Sequence, residues 1–203
     1  GDVLTRQLQN LTDGITYFFN VTAYNTALLE SGYATEVNKF ISASSYALSV
    51  ASAGTGSGAV TSAPAGISCG TACSGSFTAG TSAILTATPN ASSTFTGWSG
   101  ACSGTGTCTV TMTAARNVTA TFAIRTFTIS ASAGANGAIA PSGAVSVNYG
   151  ATRAFTITPG AGYHVADVLV DGSSVGAVAS YSFTNVLTGH SISAAFAVNT
   201  YTV

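Results

Sequence analysis

The feature that most constrains how this chain folds is an internal repeat. The segment Gly80–Pro89 (GTSAILTATP) aligns with Gly150–Pro159 (GATRAFTITP). Two further pairs of matching segments flank it in the same order: Tyr46–Gly54 with Phe127–Gly134, and Val110–Phe122 with Tyr181–Phe196. Three matches in one order indicate a repeat of about 75 residues. A chain of 203 residues therefore holds two small copies rather than one large domain.

Apolar and polar side chains alternate inside each copy. Tyr46, Leu48 and Val50 show this period in the first copy, and Phe155 and Ile157 show it in the second. An apolar period of two, interrupted by Gly, Pro and Asn about every 8 to 12 residues, predicts short antiparallel strands with one buried face per sheet. We therefore expect an all-β fold of tandem small β-modules.

The matching segments divide the chain into four parts. Residues 45–124 and 125–198 are the two repeats, and residues 199–203 are the first strand of a further repeat or a connector. Residues 1–42 differ in composition, since they hold six of the eleven charged residues. Because the chain begins at Gly without a leader-like apolar segment, we expect a processed or excised piece of a longer polypeptide.

Charged residues make up only 5% of the chain, whereas soluble domains carry about a quarter. With five Lys and Arg in total, the chain lacks the positively charged surface that binds nucleic acids and anionic membranes. No carboxylate lies between Glu36 and Asp167, although acid–base catalysis and oxygen-ligand metal sites need several together. No apolar run approaches the roughly 18 residues of a membrane span. We expect a protein that is not an enzyme, with no cofactor, no metal, no nucleic-acid partner and no membrane insertion.

Four cysteines, Cys69, Cys73, Cys102 and Cys108, all lie in the first repeat. An even, clustered set in a chain of this composition is typical of disulfides in a secreted, extracellular or cell-surface protein. Zinc is the alternative, but Cys-x3-Cys and Cys-x5-Cys are not its usual ligand spacings and no His lies nearby. Among the pairings open to four cysteines, we expect the local ones, Cys69 with Cys73 and Cys102 with Cys108.

A few residues match fragments of catalytic or metal-binding patterns. Ser68 lies in a Gly-x-Ser-x-Gly sequence, but a nucleophile elbow also needs a following helix, an acid and a His. Asp167 and Asp171 flank a short apolar segment and are too few for a calcium site. His164 and His190 have no cysteine or further acid to complete a metal site. We interpret all five as strand, turn or loop residues.

Trp98 is the only tryptophan and lies between Gly97 and Ser99, close to Phe95. An exposed Trp could stack on a sugar ring, which would make the first repeat a carbohydrate-binding module. Aromatic side chains in a β-module are more often core anchors that bury about 150 to 250 Å² each. We favour the core for Trp98 and keep ligand stacking as the alternative.

Residues 1–42 resemble the last strands of a fibronectin type III domain. Leu11 stands six residues before Tyr17, and Phe19 and Val21 continue the alternation. In sandwiches of this type, a Tyr near the start of strand F forms a tyrosine corner. The resemblance implies strands E, F and G of an incomplete sandwich, which leaves open sheet edges.

From Tyr46 onward the chain resembles the divergent InlB B-repeat family of bacterial surface and secreted proteins. The first copy carries the resemblance in Gly80–Pro89, Phe95–Trp98 and Val118–Phe122. The second copy keeps Gly150, Pro159, Ala195 and Phe196, and has Tyr163–Gly172 in place of the Trp segment. The resemblance implies a small β-module that serves as a spacer or stalk and implies no catalysis.

These features favour a structural protein, a fragment of a secreted bacterial fibre, stalk or adhesin. Its expected partners are copies of itself or adjacent domains of the same polypeptide. The open ends, at Tyr17–Val21 and Asn199–Val203, predict head-to-tail self-assembly by strand complementation. The alternative is a carbohydrate- or surface-binding module whose partner is a surface polysaccharide.

Overall fold

The structure, a computed structural model, describes residues 7–69 and 72–201. Within these ranges every regular element is a β-strand, so the described residues include no membrane-spanning helix. An N-terminal hairpin consists of β1 (Thr16–Phe19) and β2 (Val37–Phe40). The first repeat contains β3 (Ser45–Gly54), β4 (Gly58–Ala63), β5 (Ser68–Cys69), β6 (Ala72–Thr78), β7 (Ser82–Pro89), β8 (Ser93–Gly100), β9 (Cys108–Thr111) and β10 (Arg116–Ile124). The second contains β11 (Thr126–Ala133), β12 (Gly137–Ala140), β13 (Gly143–Asn148), β14 (Arg153–Pro159), β15 (Tyr163–Val170), β16 (Ser173–Ser174), β17 (Ser180–Phe183) and β18 (His190–Val198).

Each repeat consists of two sheets with the same strand order in both copies. In repeat 1, residues 45–124, the first sheet has the order β6-β3-β10-β8 and the second has the order β5-β4-β7-β9. In repeat 2, residues 125–198, the corresponding orders are β13-β11-β18-β15-β16 and β12-β14-β17. The copies differ only at sheet edges, where repeat 1 adds β5 and repeat 2 adds β16. The expectation of an all-β fold of tandem small modules is confirmed.

The expectation of purely antiparallel strands is wrong at the centre of each first sheet. β10 runs parallel to β3, with Val118 opposite Val50, and β18 runs parallel to β11, with Ala131 opposite Ile192. Side-chain alternation shows which face of a strand is buried, and it carries no information on the direction of the neighbouring strand. A parallel pair needs a long crossover connection, and most of the repeat, including the second sheet, lies between β3 and β10.

Each repeat has its own hydrophobic core between its two sheets. The fully buried side chains of repeat 1 include Leu48, Leu85, Met112 and Phe122. Those of repeat 2 include Ile129, Phe155, Val168 and Ile192. The two sets share no residue. Each copy is therefore a separate packing unit of the size that the repeat length predicts.

A glycine at the start of the second sheet lets the last strand of each repeat pack closely. Gly58 opens β4, and a Cβ there would collide with the ring of Phe122 from β10. Gly137 opens β12, and a Cβ there would collide with the ring of Phe196 from β18. The same Gly–Phe contact recurs because in both copies the last strand of the first sheet faces the strand that opens the second sheet.

The N-terminal hairpin is a separate two-stranded sheet with little burial. β1 pairs antiparallel with β2, and Tyr17 lies opposite Lys39. Its large apolar side chains are exposed, among them Phe18 (62%), Val37 (63%) and Phe40 (55%). Of the three strands expected here, two are present, and residues 1–6 lie outside the described residues. At the other end, residues 199–201 are not in a strand, and the rest of the strand expected at 199–203 lies outside the described residues.

Candidate functional site

The Trp98 side chain belongs to the core of repeat 1. It is 5% exposed and contacts the Phe95 ring edge-on, with 4.9 Å between ring centroids. The Phe95 ring in turn packs on Phe122 at 5.5 Å. The indole N–H donates a hydrogen bond to the carbonyl oxygen of Gly106 at 2.7 Å. A buried indole with its donor satisfied by the protein offers no stacking platform to a sugar ring.

The loop that receives this hydrogen bond closes the free edge of β8. The backbone N–H of Trp98 donates to the carbonyl of Gly104 at 2.8 Å, which forms an isolated antiparallel bridge. The disulfide from Cys102 to Cys108 holds the same loop at its two ends. An edge strand with unpaired N–H and C=O groups invites pairing with another chain. The loop therefore protects the edge of β8 where Trp98 lies.

Repeat 2 protects the same edge in a different way. Val168 of β15 takes the place of Trp98 of β8. Val168 pairs with Ala194 of β18, just as Trp98 pairs with Ala120 of β10. The Val168 N–H donates to the carbonyl of Gly176 at 3.0 Å, within a short hairpin that adds β16. Both copies thus cover the same edge position with unrelated loops. The sequence analysis matched Tyr163–Gly172 with the Trp segment but did not identify Val168 as the counterpart of Trp98, because an indole and an isopropyl group share no pattern.

Both disulfides connect the two sheets of repeat 1. Cys69 lies in β5 of the second sheet and Cys73 in β6 of the first, with 5.8 Å between their Cα atoms. Cys102 follows β8 of the first sheet and Cys108 opens β9 of the second, with 5.7 Å between Cα atoms. β5 and β6 form one edge of the sandwich, and β8 and β9 form the other. The local pairing agrees with the prediction, and in addition it closes both edges of the sandwich.

Asp171 and His190 of repeat 2 form hydrogen bonds that hold a turn. Asp171 accepts from His190 Nδ1 at 2.7 Å and from the Ser191 N–H at 2.7 Å. The hydrogen bond from His190, followed by that from the Ser191 backbone, lowers the pKa of the Asp171 carboxyl. Asp171 has a φ of 48°, which Asp tolerates in a tight turn. These contacts fix the turn after β15 against the start of β18.

The other residues singled out from sequence do not converge. Ser68 lies in the two-residue strand β5, opposite Thr61, with no helix in the described part of the chain. Asp167 accepts from Ser174 Oγ at 2.6 Å, and His164 Nδ1 lies 3.1 Å from Asn199 Oδ1. Among the described residues no three His, Cys, Asp or Glu side chains come together as metal ligands.

A shallow groove lies on the outer face of the first sheet of repeat 1. Its volume is about 480 Å³, and side chains of β3, β6 and β10 line it, among them Ser49, Ser74, Asn117 and Thr119. These side chains are small, uncharged and free of aromatic rings. Val50, Ala51, Cys73 and Val118 line it as well, so the groove combines hydroxyl and amide groups with apolar surface and has no aromatic stacking platform.

One charged residue that the sequence analysis did not single out lies between the repeats. β10 ends at Ile124 and β11 begins at Thr126, so Arg125 alone joins the two copies. The sequence position of Arg125 could have identified it, because this residue lies at the boundary of the two matching units, in a segment with few charges.

The fold defines a tandem-repeat β-protein with two copies of one module. The family model of the divergent InlB B-repeat domain matches residues 48–126 and 127–200. Since the matches cover more than half of the chain, one on each repeat, the chain belongs to this family. No curated protein matches the chain. Among solved structures, the chain is similar to the Bacillus anthracis TIE protein, with a TM-score of 0.45 and 8% identity over 89% of this chain. The chain spans 41% of the length of that structure.

Proposed function

We propose that this chain is a non-enzymatic spacer within a secreted bacterial fibre, stalk or adhesin. The observation that carries the proposal is the direct succession of two complete modules, with β10 ending at Ile124 and β11 beginning at Thr126. Each module has its own core, so a further module adds length without changing the packing of its neighbours. The family, whose members are surface-module repeats, supports the same role.

The chemistry of the surface supports an extracellular location. Two disulfides close repeat 1, and such bonds persist in oxidising compartments. In repeat 2, Asp167, Asp171 and His190 form hydrogen bonds that hold turns. A surface of Ser, Thr, Asn and Ala suits a passive spacer better than a catalyst.

The spacer role is testable by changing the number of modules. We expect a variant with residues 125–198 duplicated in tandem to lengthen by about 25 to 30 Å, the length of an eight-residue strand. Small-angle X-ray scattering measures this as an increase in the maximum dimension of the particle. A variant of similar mass, with the added copy attached through a short flexible Gly/Ser linker, is the control. An unchanged maximum dimension in the duplicated chain would contradict a spacer.

We further propose that the N-terminal hairpin is the F–G part of a fibronectin type III-like sandwich. The Tyr17 hydroxyl accepts a hydrogen bond from the backbone N–H of Thr12 at 2.7 Å, which is the bond of a tyrosine corner. Leu11, six residues before Tyr17, is half-buried beside this corner. The exposed apolar side chains of the hairpin, such as Phe18 and Val37, suit a surface that further strands cover.

Neighbouring copies are proposed to supply this cover by head-to-tail strand complementation, with Asn199–Val203 as the donor segment. Tyr201 supports this proposal because it is 84% exposed. A heterologous contact of this kind propagates as a filament instead of closing as a dimer. Strands of an adjacent domain of the same polypeptide would cover the apolar side chains of the hairpin equally well. Deleting the donor segment distinguishes cover by a neighbouring copy from cover by an adjacent domain.

Deleting residues 200–203 should abolish filaments if these residues are the donor strand. The deletion keeps Asn199, whose N–H donates to the Gly162 carbonyl at 2.9 Å, so repeat 2 keeps its end contact. Light scattering and negative-stain electron microscopy measure the assembly of both chains at equal concentration. Tyr201→Ser in the chain without the deletion is the matched control for the exposed ring. Equal assembly of the parent and the deletion variant would exclude this segment as the connector.

Carbohydrate stacking on Trp98 is not part of the proposal. The indole is buried and donates to Gly106, so a sugar ring has no access to its face.

A further inference from the structure

The junction between the two repeats is very short, with one residue between the end of β10 and the start of β11. Domains joined by a short connection move relative to one another by default, unless a large apolar interface holds them. Here the two cores share no residue, and the strand pairing of each sheet stays within one repeat. The single residue between β10 and β11, Arg125, contacts both repeats and is therefore the place to look for what holds them in one orientation.

The backbone of Arg125 bonds to both repeats. Its N–H donates to the Ser92 carbonyl of repeat 1 at 2.9 Å. Its carbonyl accepts from the Tyr149 N–H of repeat 2 at 2.8 Å. The same backbone bonds recur at the other boundaries with different residues, since the Asn199 N–H donates to Gly162 and the Ser44 carbonyl accepts from Ala79. The backbone part of the junction thus does not depend on the side chain.

The guanidinium of Arg125 adds a second set of contacts that also reach both repeats. Nη1 donates to the Ala91 carbonyl of repeat 1 at 3.3 Å. The guanidinium carbon lies 5.6 Å from the ring centroid of Phe127 and 5.9 Å from that of Tyr149, both in repeat 2. These distances fall within the range of cation–π attraction. A planar cation suits this position because it can stack on rings while its N–H groups bond in its plane.

We propose that the Arg125 side chain is a clamp that fixes the orientation of repeat 2 on repeat 1. The clamp turns two independently packed modules into one stiff unit and sets the angle between them. A fixed angle between the repeats has a biological purpose only if the chain is a spacer, so the clamp rests on the proposed function in this respect. The contacts of Arg125 do not depend on that role.

Residual dipolar couplings of the whole chain test the clamp. We expect the amides of both repeats to fit one alignment tensor in the parent protein. In Arg125→Ala the shared tensor should be lost, with each repeat fitting its own. Arg125→Met, which keeps a long apolar side chain and lacks the guanidinium, should give the same loss. Separate cores allow the spectrum of each repeat to report that it stays folded.

Arg116→Ala is the matched control for loss of one positive charge. Its guanidinium bonds to Thr113 Oγ1 at 2.9 Å within repeat 1, so the shared tensor should persist. Two tensors in the parent protein, or one shared tensor in either Arg125 variant, would overturn the proposal. Neither outcome bears on whether a duplicated module lengthens the chain, so failure of the clamp and failure of the spacer are distinguishable.

Discussion

Trp98→Ala should unfold repeat 1 and leave repeat 2 folded. The indole is 5% exposed and fills the space between Phe95 and the loop after β8. Truncating a buried aromatic costs about 3 to 5 kcal/mol, a large share of the roughly 5 to 15 kcal/mol that stabilises a domain. The separate core of repeat 2 contains no atom of this cluster. Differential scanning calorimetry should therefore show one transition lost or strongly lowered and the other unchanged.

Trp98→Phe separates packing from hydrogen bonding at the same position. Phe keeps an aromatic ring in the core but cannot donate to the Gly106 carbonyl. We expect this variant to lose about 1 to 3 kcal/mol, from the smaller ring and the unpaired carbonyl. A melting temperature of Trp98→Ala within a few degrees of the parent would mean that the indole is not a core anchor.

The sequence predicted the modules well because their signals are local. Alternation of side chains and Gly or Pro punctuation marked strands such as β7 and β14, and the order of matching segments marked two units. In the pair Ile84 and Leu85, Leu85 is fully buried and Ile84 is 42% exposed. Both residues are apolar, so the pattern alone could not decide which of them faces the core.

The sequence could not predict the features that depend on contacts between segments far apart in the chain. The parallel pair of β3 with β10 joins residues separated by a whole module, and no local pattern encodes it. The role of Val168 as the counterpart of Trp98 follows only from strand register. The contacts of Arg125 likewise appear only when two modules lie end to end, because its partners Ala91 and Tyr149 are distant in sequence.

The position of the disulfides between sheets changes what they are expected to do. Loops as short as these suggest bonds that pin turns, since cross-linking residues four or six apart restrains less of the unfolded chain than closing a long loop would. In the folded state, however, each bond joins the outer strand of one sheet to the outer strand of the other. Repeat 2 reaches the same strand order without cysteine, so the bonds add stability to a fold that does not require them.

Removing both disulfides should lower the melting temperature of repeat 1 by about 15 °C or more. The loop-closure model gives about 2 kcal/mol for each short loop, and 1 kcal/mol shifts a domain of this size by roughly 4 to 8 °C. The measurement is calorimetry of the Cys69→Ala/Cys73→Ala and Cys102→Ala/Cys108→Ala pairs, alone and combined. Repeat 2 serves as the internal control because it contains no cysteine.

The two pairs should not be equivalent. Cys108 is 1% exposed and packs in the core, and its bond holds the loop that carries the Gly104 and Gly106 carbonyls to Trp98. Loss of the Cys102–Cys108 bond therefore releases both Trp98 hydrogen bonds, whereas loss of the Cys69–Cys73 bond frees only the β5–β6 edge. We expect removal of the Cys102–Cys108 bond to lower the stability of repeat 1 more than removal of the Cys69–Cys73 bond. We also expect it to couple energetically with Trp98→Phe in a double-mutant cycle. Additive effects of Trp98→Phe and the Cys102/Cys108 pair would show that the loop is held to the indole without its disulfide.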